Sequence, residues 1–272
     1  MSVSPFRVQA DVLRVGAEIR DRTVRAIDPK SPHALAHEQA VAAGRSDIMD
    51  RPVFLADLWT RVAAEQIRAT ATMIDQEDPG FVLPAMSPLV RSVIEHSTAT
   101  TWILDEQVAG EIRAARAALY FYRGMEDAVK TAAHLGGAGN KRHLEAKKQF
   151  REFRKVLAKE FQNDTNLDVS PIVISGEKFP TPMGPVLHHG GRWGDQKQWE
   201  GVYDYLWGAG NHPNLMAVEL LEDTKGLIDR FCQAMISPYF HALCYYAQYC
   251  GFPDDDLARY LTLVQETWPG DK

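Results

Sequence analysis

Apolar residues recur at helical spacing along most of the chain. Between Phe6 and Ile27, Val8, Val12, Leu13, Val15, Ile19 and Val24 alternate with charged residues at the period of an amphipathic helix. Ser31-Pro32-His33 reads as a cap with Pro in the first turn of a short Ala-rich helix to about Ala43. Asp50-Arg51-Pro52 opens a longer helix through about Ile74, which the Asp78-Pro79-Gly80 turn closes. Ser87–Asp105 follows, with Ser87 as cap and Pro88 at the first helical position. Its few charged residues predict burial around most of its circumference, which makes it the central helix.

The next helix spans Glu106–Leu135 and stops at Gly136-Gly137, and Asn140 caps another to about Gln162. The helical period then vanishes. From Asp164 to Gly194, Pro171, Pro180, Pro182, Pro185 and several glycines predict an irregular excursion, with a short hairpin around Ile172–Ile174. So long a stretch without regular structure fits a lid or binding loop. Helices resume over Asp195–Trp207, over Pro213–Tyr249 with a break near Ser237-Pro238, and over Asp254–Thr267. The expectation is a single all-α domain over 1–272, a bundle of about eight helices with one loop at 164–194.

Composition narrows this little, with 45% apolar and 24% charged residues placing the chain among ordinary globular proteins. No apolar run reaches the length of a membrane span, and the first residues lack a signal-peptide core. Three cysteines, Cys232, Cys244 and Cys250, are too few and too clustered for a disulfide framework. A cytoplasmic protein is expected, with no membrane partner and no cofactor.

Charge distribution changes the picture more. Gly139–Glu160 carries Lys141, Arg142, Lys147, Lys148, Arg151, Arg154, Lys155 and Lys159 against three acids. That segment is +5 in a chain of net −6, so the remainder is −11. Its cations share an arc beside an apolar face of Phe150, Phe153, Leu157 and Phe161, a stripe about 30 Å long. Such a stripe suits an RNA or tRNA backbone, with Lys147, Arg151 and Lys155 as contacts and Arg116 of the preceding helix added to them. A solvated face that balances the acidic remainder is the alternative.

On the central helix, Arg91 and Glu95 lie four apart, on one stripe with Trp102, while His96 falls on the apolar side. Either the Glu holds the Arg for an anion, or the pair is a structural tie. The run Arg91-Ser-Val-Ile-Glu-His96 resembles the loose Arg, polar, three residues, His signature of the HEPN superfamily of helical ribonucleases and RNA-binding toxins. In such a site Arg stabilises phosphate charge and His moves a proton. Arg and His at this spacing diverge around the helix, so the resemblance implies a homodimer in which facing helices bring them together. A second resemblance runs from Ser87 to Asn214. Arg91 and Glu95, with the later Tyr203-Asp-Tyr-Leu-Trp-Gly-Ala-Gly-Asn-His212-Pro-Asn, are similar to an uncharacterised bacterial helical family of HEPN-like fold. That likeness implies a constellation of Arg91, Glu95, Tyr203 and His212; Trp207 stands where the family pattern has a small polar residue.

Tyr203 and Trp207 lie one helical turn apart, a candidate stacking platform beside His212, or simply core aromatics. For metals, His33 and His37 have i,i+4 spacing and His188 and His189 are adjacent, but no third ligand is near in sequence and no metal is expected. Phosphate-loop, dinucleotide and Gly-x-Ser-x-Gly motifs are absent. Three functions therefore stand. One is an RNA-directed protein, catalytic as a metal-independent ribonuclease through Arg91, Glu95, His96, Tyr203 and His212, with Trp102 and Trp207 in the substrate site. Another is a small-molecule enzyme of specialised metabolism, an aminoacyl-tRNA-dependent transferase. The third is a non-catalytic binding or immunity protein.

Overall fold

The computed structural model describes residues 6–44, 49–75, 83–162, 164–211 and 223–268; for 83, 84 and 207–211 only the backbone is described. These residues form ten helices and one two-stranded hairpin, so the protein is all-α with two more helices than the sequence suggests. The helices are α1 (Arg7–Thr23), α2 (Pro32–Ala42), α3 (Arg51–Ile74), α4 (Leu83–Ile103), α5 (Gly110–Gly136), α6 (Lys141–Glu160), α7 (Met183–Trp193), α8 (Gln196–Asn211), α9 (Thr224–Cys250) and α10 (Asp255–Thr267). Strands β1 (Val173–Ile174) and β2 (Glu177–Lys178) lie between α6 and α7. The chain gathers into two compact units. Unit 1 comprises Met1–Pro32, Ala56–Leu104 and Thr181–Lys272, and unit 2 comprises His33–Leu55 and Asp105–Pro180.

Unit 1 is organised around α4, against which α7, α8 and α9 all pack. Every residue from Ser97 to Leu104 is buried, hydroxyls included. Thr98, Thr100 and Thr101 return their hydroxyls to carbonyls of Ile94, His96 and Thr98 at 2.8–2.9 Å, so burial leaves them bonded. The helix begins earlier than its Ser-Pro signal implies, and Pro88 lies within it on an exposed position. Ser87 is not a cap; its hydroxyl donates to Leu206 O of α8 at 3.1 Å.

Helix α9 likewise runs unbroken through Pro238, which is buried. Its apolar face against α4 outweighs the roughly 3 kcal/mol that an interior Pro costs a helix. Asp223 caps its start by accepting Gly226 N, and Gly251 ends it in the left-handed region at φ +71°. Helix α1 buries Val12, Leu13, Ala17 and Ile19 against α9 and α10. Gly16 permits the close approach to α10: a Cβ there would overlap the Tyr260 hydroxyl, which donates to Val12 O at 3.3 Å. Arg20, also buried, is held by Asp57 and Thr60 of α3.

In unit 2, α5 and α6 form a helical hairpin across Gly137 and Gly139, both at positive φ. Asn140 caps α6 by accepting His143 N at 2.9 Å and donating to Ala132 O at 3.0 Å. The buried face of α5 is built of alanines 114, 115, 117 and 118. The excursion after α6 includes the expected hairpin, with Val173 opposite Lys178 and the turn residues Ser175 and Gly176 both at positive φ. The Ser170–Pro171 peptide is cis. Beyond the hairpin the excursion is not irregular throughout, because Met183–Trp193 of unit 1 is helical.

Candidate functional site

Helix α4 presents Arg91 and Glu95 on one stripe, and α8 brings Tyr203 to them. Glu95 Oε1 accepts Arg91 Nε at 2.8 Å and the Tyr203 hydroxyl at 2.6 Å. The guanidinium carbon of Arg91 lies 5.5 Å from the centre of the Tyr203 ring. Burial, reinforced by the hydrogen bond to Glu95 and its charge, pushes the Tyr203 phenol up to about 12, although Arg91 pulls the other way. At neutral pH Tyr203 is therefore a donor and not a base. The cluster joins a cation, a carboxylate and a phenol with no net charge. Alongside the Ser87–Leu206 bond it ties α4 to α8.

His96 belongs to a different neighbourhood. Its Nδ1 lies 2.6 Å from Ser92 O, Gln66 donates to the Ser92 hydroxyl at 2.7 Å, and Trp59 packs at 6.4 Å between ring centres. Burial holds His96 below its usual range, against the Ser92 carbonyl and the charge of Glu95. The divergence of residues five apart thus gives Arg91 and His96 separate partners within the chain. Trp102 is buried in the core of unit 1. Trp207 lies on α8 with its backbone alone described, and His212 falls outside the described residues.

The cationic helix α6 is the other arrangement with chemical content. Only His143 and Leu157 of its twenty residues are buried. Lys141, Arg142, Lys147, Lys148, Arg151, Lys155 and Lys159 are exposed. Among the described residues Lys155 pairs with Glu152 at 3.0 Å, and Arg154 with Asp168 at 2.6 Å; the other six have no carboxylate partner. Arg116 does not join this surface. It is buried on α5, 3.1 Å from Glu177 and 3.7 Å from Asp105.

Two clefts flank the Arg154–Asp168 pair. One, of about 480 Å3, is lined by Arg151, Arg154, Lys155, Gln162 and Asn166 among others. The second, of about 470 Å3, lies between α5 and segment 167–172 and is lined by Leu119, Tyr122, Arg123, Glu126, Ile172 and Phe179 among others. The sequence marks this segment as a candidate binding loop, but the cleft's opposite wall, Leu119 and Tyr122, comes from α5, where no local pattern singles it out.

No family model, curated protein or solved structure matches the chain. No helix of the described residues is long and apolar enough to cross a membrane. Nor, among those residues, do three or more His, Cys, Asp or Glu side chains converge to hold a metal ion. His33 and His37 do share a neighbour, Asp50 Oδ1, at 3.6 and 3.7 Å.

Sequence reasoning singles out His188 and His189 but misses the cluster that His189 joins. His189 of α7 is buried, and among the described residues neither ring nitrogen has a hydrogen-bond partner. Its ring stands edge-on to Trp199 at 5.1 Å and lies 5.2 Å from His241 of α9, which stacks on Trp193 at 4.3 Å. Burial, with the neighbouring His241 and His188, pulls His189 down to about 3, and burial pulls His241 down to about 4. These are neutral imidazoles in an aromatic setting. The adjacent His188-His189 pair hints at them in the sequence, but the partners come from residues 193–199 and 241.

Proposed function

We propose that this protein binds RNA along the cationic face of α6. The observation that carries the reading is the set of six exposed cations, Lys141, Arg142, Lys147, Lys148, Arg151 and Lys159, without carboxylate partners among the described residues. Cations held only for balance tend to be answered by nearby acids, as on α5, where Arg123 and Lys130 pair with Glu126 and Asp127. The face extends about 27 Å at 1.5 Å per residue and spans several phosphates of a single strand. Segment 164–172 and the two clefts beside it give the strand more than a flat surface.

Binding, rather than cleavage, is the function adopted. Metal-independent phosphodiester chemistry needs a free proton-transfer group beside Arg91; Glu95 there already accepts from Arg91 and Tyr203, and His96 is engaged with Ser92 and Trp59. The homodimer implied by the Arg–His spacing would be the route to a catalytic site, and sedimentation reads that out. The reading places the protein in the cytoplasm, where its three free cysteines stay reduced.

Fluorescence anisotropy with a labelled 12-nucleotide single-stranded RNA tests it. Neutralising four to five phosphates predicts log K falling with log[salt] at a slope of about −3. The Lys147→Gln, Arg151→Gln, Lys155→Gln triple variant should lose most of that affinity and reduce the slope by about two units. No binding by the wild type at 50 mM salt would overturn the proposal. The same RNA on a denaturing gel separates binding from cleavage: cleavage by the wild type that Arg91→Ala abolishes without unfolding would restore the ribonuclease reading.

A further inference from the structure

We infer that the cleft between α5 and segment 167–172 receives a base of the bound strand while the phosphates stay on α6; this rests on the RNA-binding reading above. The two clefts differ in chemistry and are divided by one ion pair. On the α6 side, Arg151, Arg154 and Lys155 line the cleft with the amides of Gln162 and Asn166, which suits phosphate and ribose oxygens. On the α5 side, Leu119, Ile172 and Phe179 supply apolar wall, and Arg123 and Arg154 are balanced by Glu126 and Asp168, whereas the α6 side sets three cations against Asp168 alone. Its balanced charges offer a phosphate no net attraction, while the remaining carboxylate lone pairs can accept the N–H groups of a base edge. Charge therefore assigns the backbone to one side and the base to the other.

The aromatic groups of the second cleft are braced from behind. Phe179 packs edge-on against Tyr120 at 5.0 Å, and Tyr122 packs edge-on against Phe150 at 4.9 Å. A ring already fixed by its neighbours loses little freedom when a base stacks on it. A volume of about 470 Å3 falls within the usual range for small organic ligands. The dividing pair joins Arg154 Nη2 to Asp168 Oδ1 and also to Leu167 O at 2.9 Å. Asp168 is 90% exposed. An exposed pair of this kind is weak, so a phosphate can take Arg154 from Asp168 and draw the strand across the divide.

The test compares a 12-nucleotide RNA with an abasic strand of the same length and charge, on the full chain at 50 mM salt. The RNA should bind at least about fivefold more tightly, the low end of what one base gains by stacking on an aromatic side chain. Phe179→Leu keeps an apolar wall and removes the ring, and should bring the two strands within twofold of each other. Val169→Asp, at a position 44% exposed and so tolerant of change, places a charge in the cleft lining and should do the same. Equal affinity of RNA and abasic strand for the wild type overturns the inference while leaving the binding function intact. Failure of both strands to bind overturns that function and this inference with it. A retained preference in both folded variants also overturns the inference.

Discussion

Acidification should destabilise unit 1 through His189 and His241. Both imidazoles sit among Trp193, Trp199 and each other, and their protonated forms are disfavoured, so their native pKa values of about 3 and 4 lie well below the ordinary value near 6.5. Between those values the unfolded chain holds a proton that the native chain does not. Stability therefore falls as pH drops below about 6.5, and the loss continues until the native pKa values are reached. At pH 5 the gap traversed is about 1.5 units, or about 2 kcal/mol for each histidine. That is a large part of the 5–15 kcal/mol by which a domain is typically stable. Replacing His189 with Leu removes one of the two contributions and fills the site with an apolar group. At pH 7.5 the exchange should be near neutral or stabilising, because the imidazole lost has no hydrogen-bond partner among the described residues. Urea unfolding at pH 7.5 and 5.0, followed by tryptophan fluorescence, measures the difference. The wild type should lose about 2 kcal/mol more over that interval than His189→Leu. His33 and His96, also held low by burial, contribute equally to both proteins and cancel. Equal losses in the two proteins would refute the assignment.

Gly16→Ala should cost about 1–3 kcal/mol in a urea melt, since its methyl group collides with the Tyr260 hydroxyl between α1 and α10. Tyr203→Phe removes a donor from Glu95 and should lower stability by about 1.5–3 kcal/mol, the range for a hydrogen bond to a charged group. RNA affinity in that variant should stay within twofold of wild type, because α6 is untouched. Asp168→Asn should tighten RNA binding by up to about fivefold in the anisotropy assay, matching a surface pair worth about 0.2–1 kcal/mol.

Local signals carried most of the helical framework. The Asn140 cap, the glycine-rich end of α5 and the short hairpin near Ile172–Ile174 act through a few neighbouring residues, and each occurs where the sequence indicates. The discrepancies have a common cause in tertiary packing. Pro238 should interrupt α9, but the buried face of that helix against α4 keeps it continuous. Residues 183–193 hold three glycines and a proline, poor helix formers, yet they fold as α7 against α4 and α8. Gly190 is useful there, because a Cβ would crowd the Gln196 backbone and Trp199 at about 3.1 Å. The Arg91–Glu95 pair is a local i,i+4 feature and was legible. Its third member, Tyr203, came only through a family resemblance. The His189–His241 contact joins residues fifty-two positions apart and left no periodic trace.

The interleaving of the two units has a consequence for the order in which the chain can mature on the ribosome. The α5–α6 hairpin is made of adjacent helices and can close as soon as both have emerged. Helix α1, by contrast, packs on α9 and α10, and α10 follows roughly 230 residues later, about 10–50 s at ordinary rates of synthesis. Until α9 emerges, roughly 200 residues after α1, Val12, Leu13 and Ile19 lack the cover they have in the native fold. Helix α1 is made long before the helices that bury it, and its stripe gives a nascent-chain chaperone a long opportunity to act.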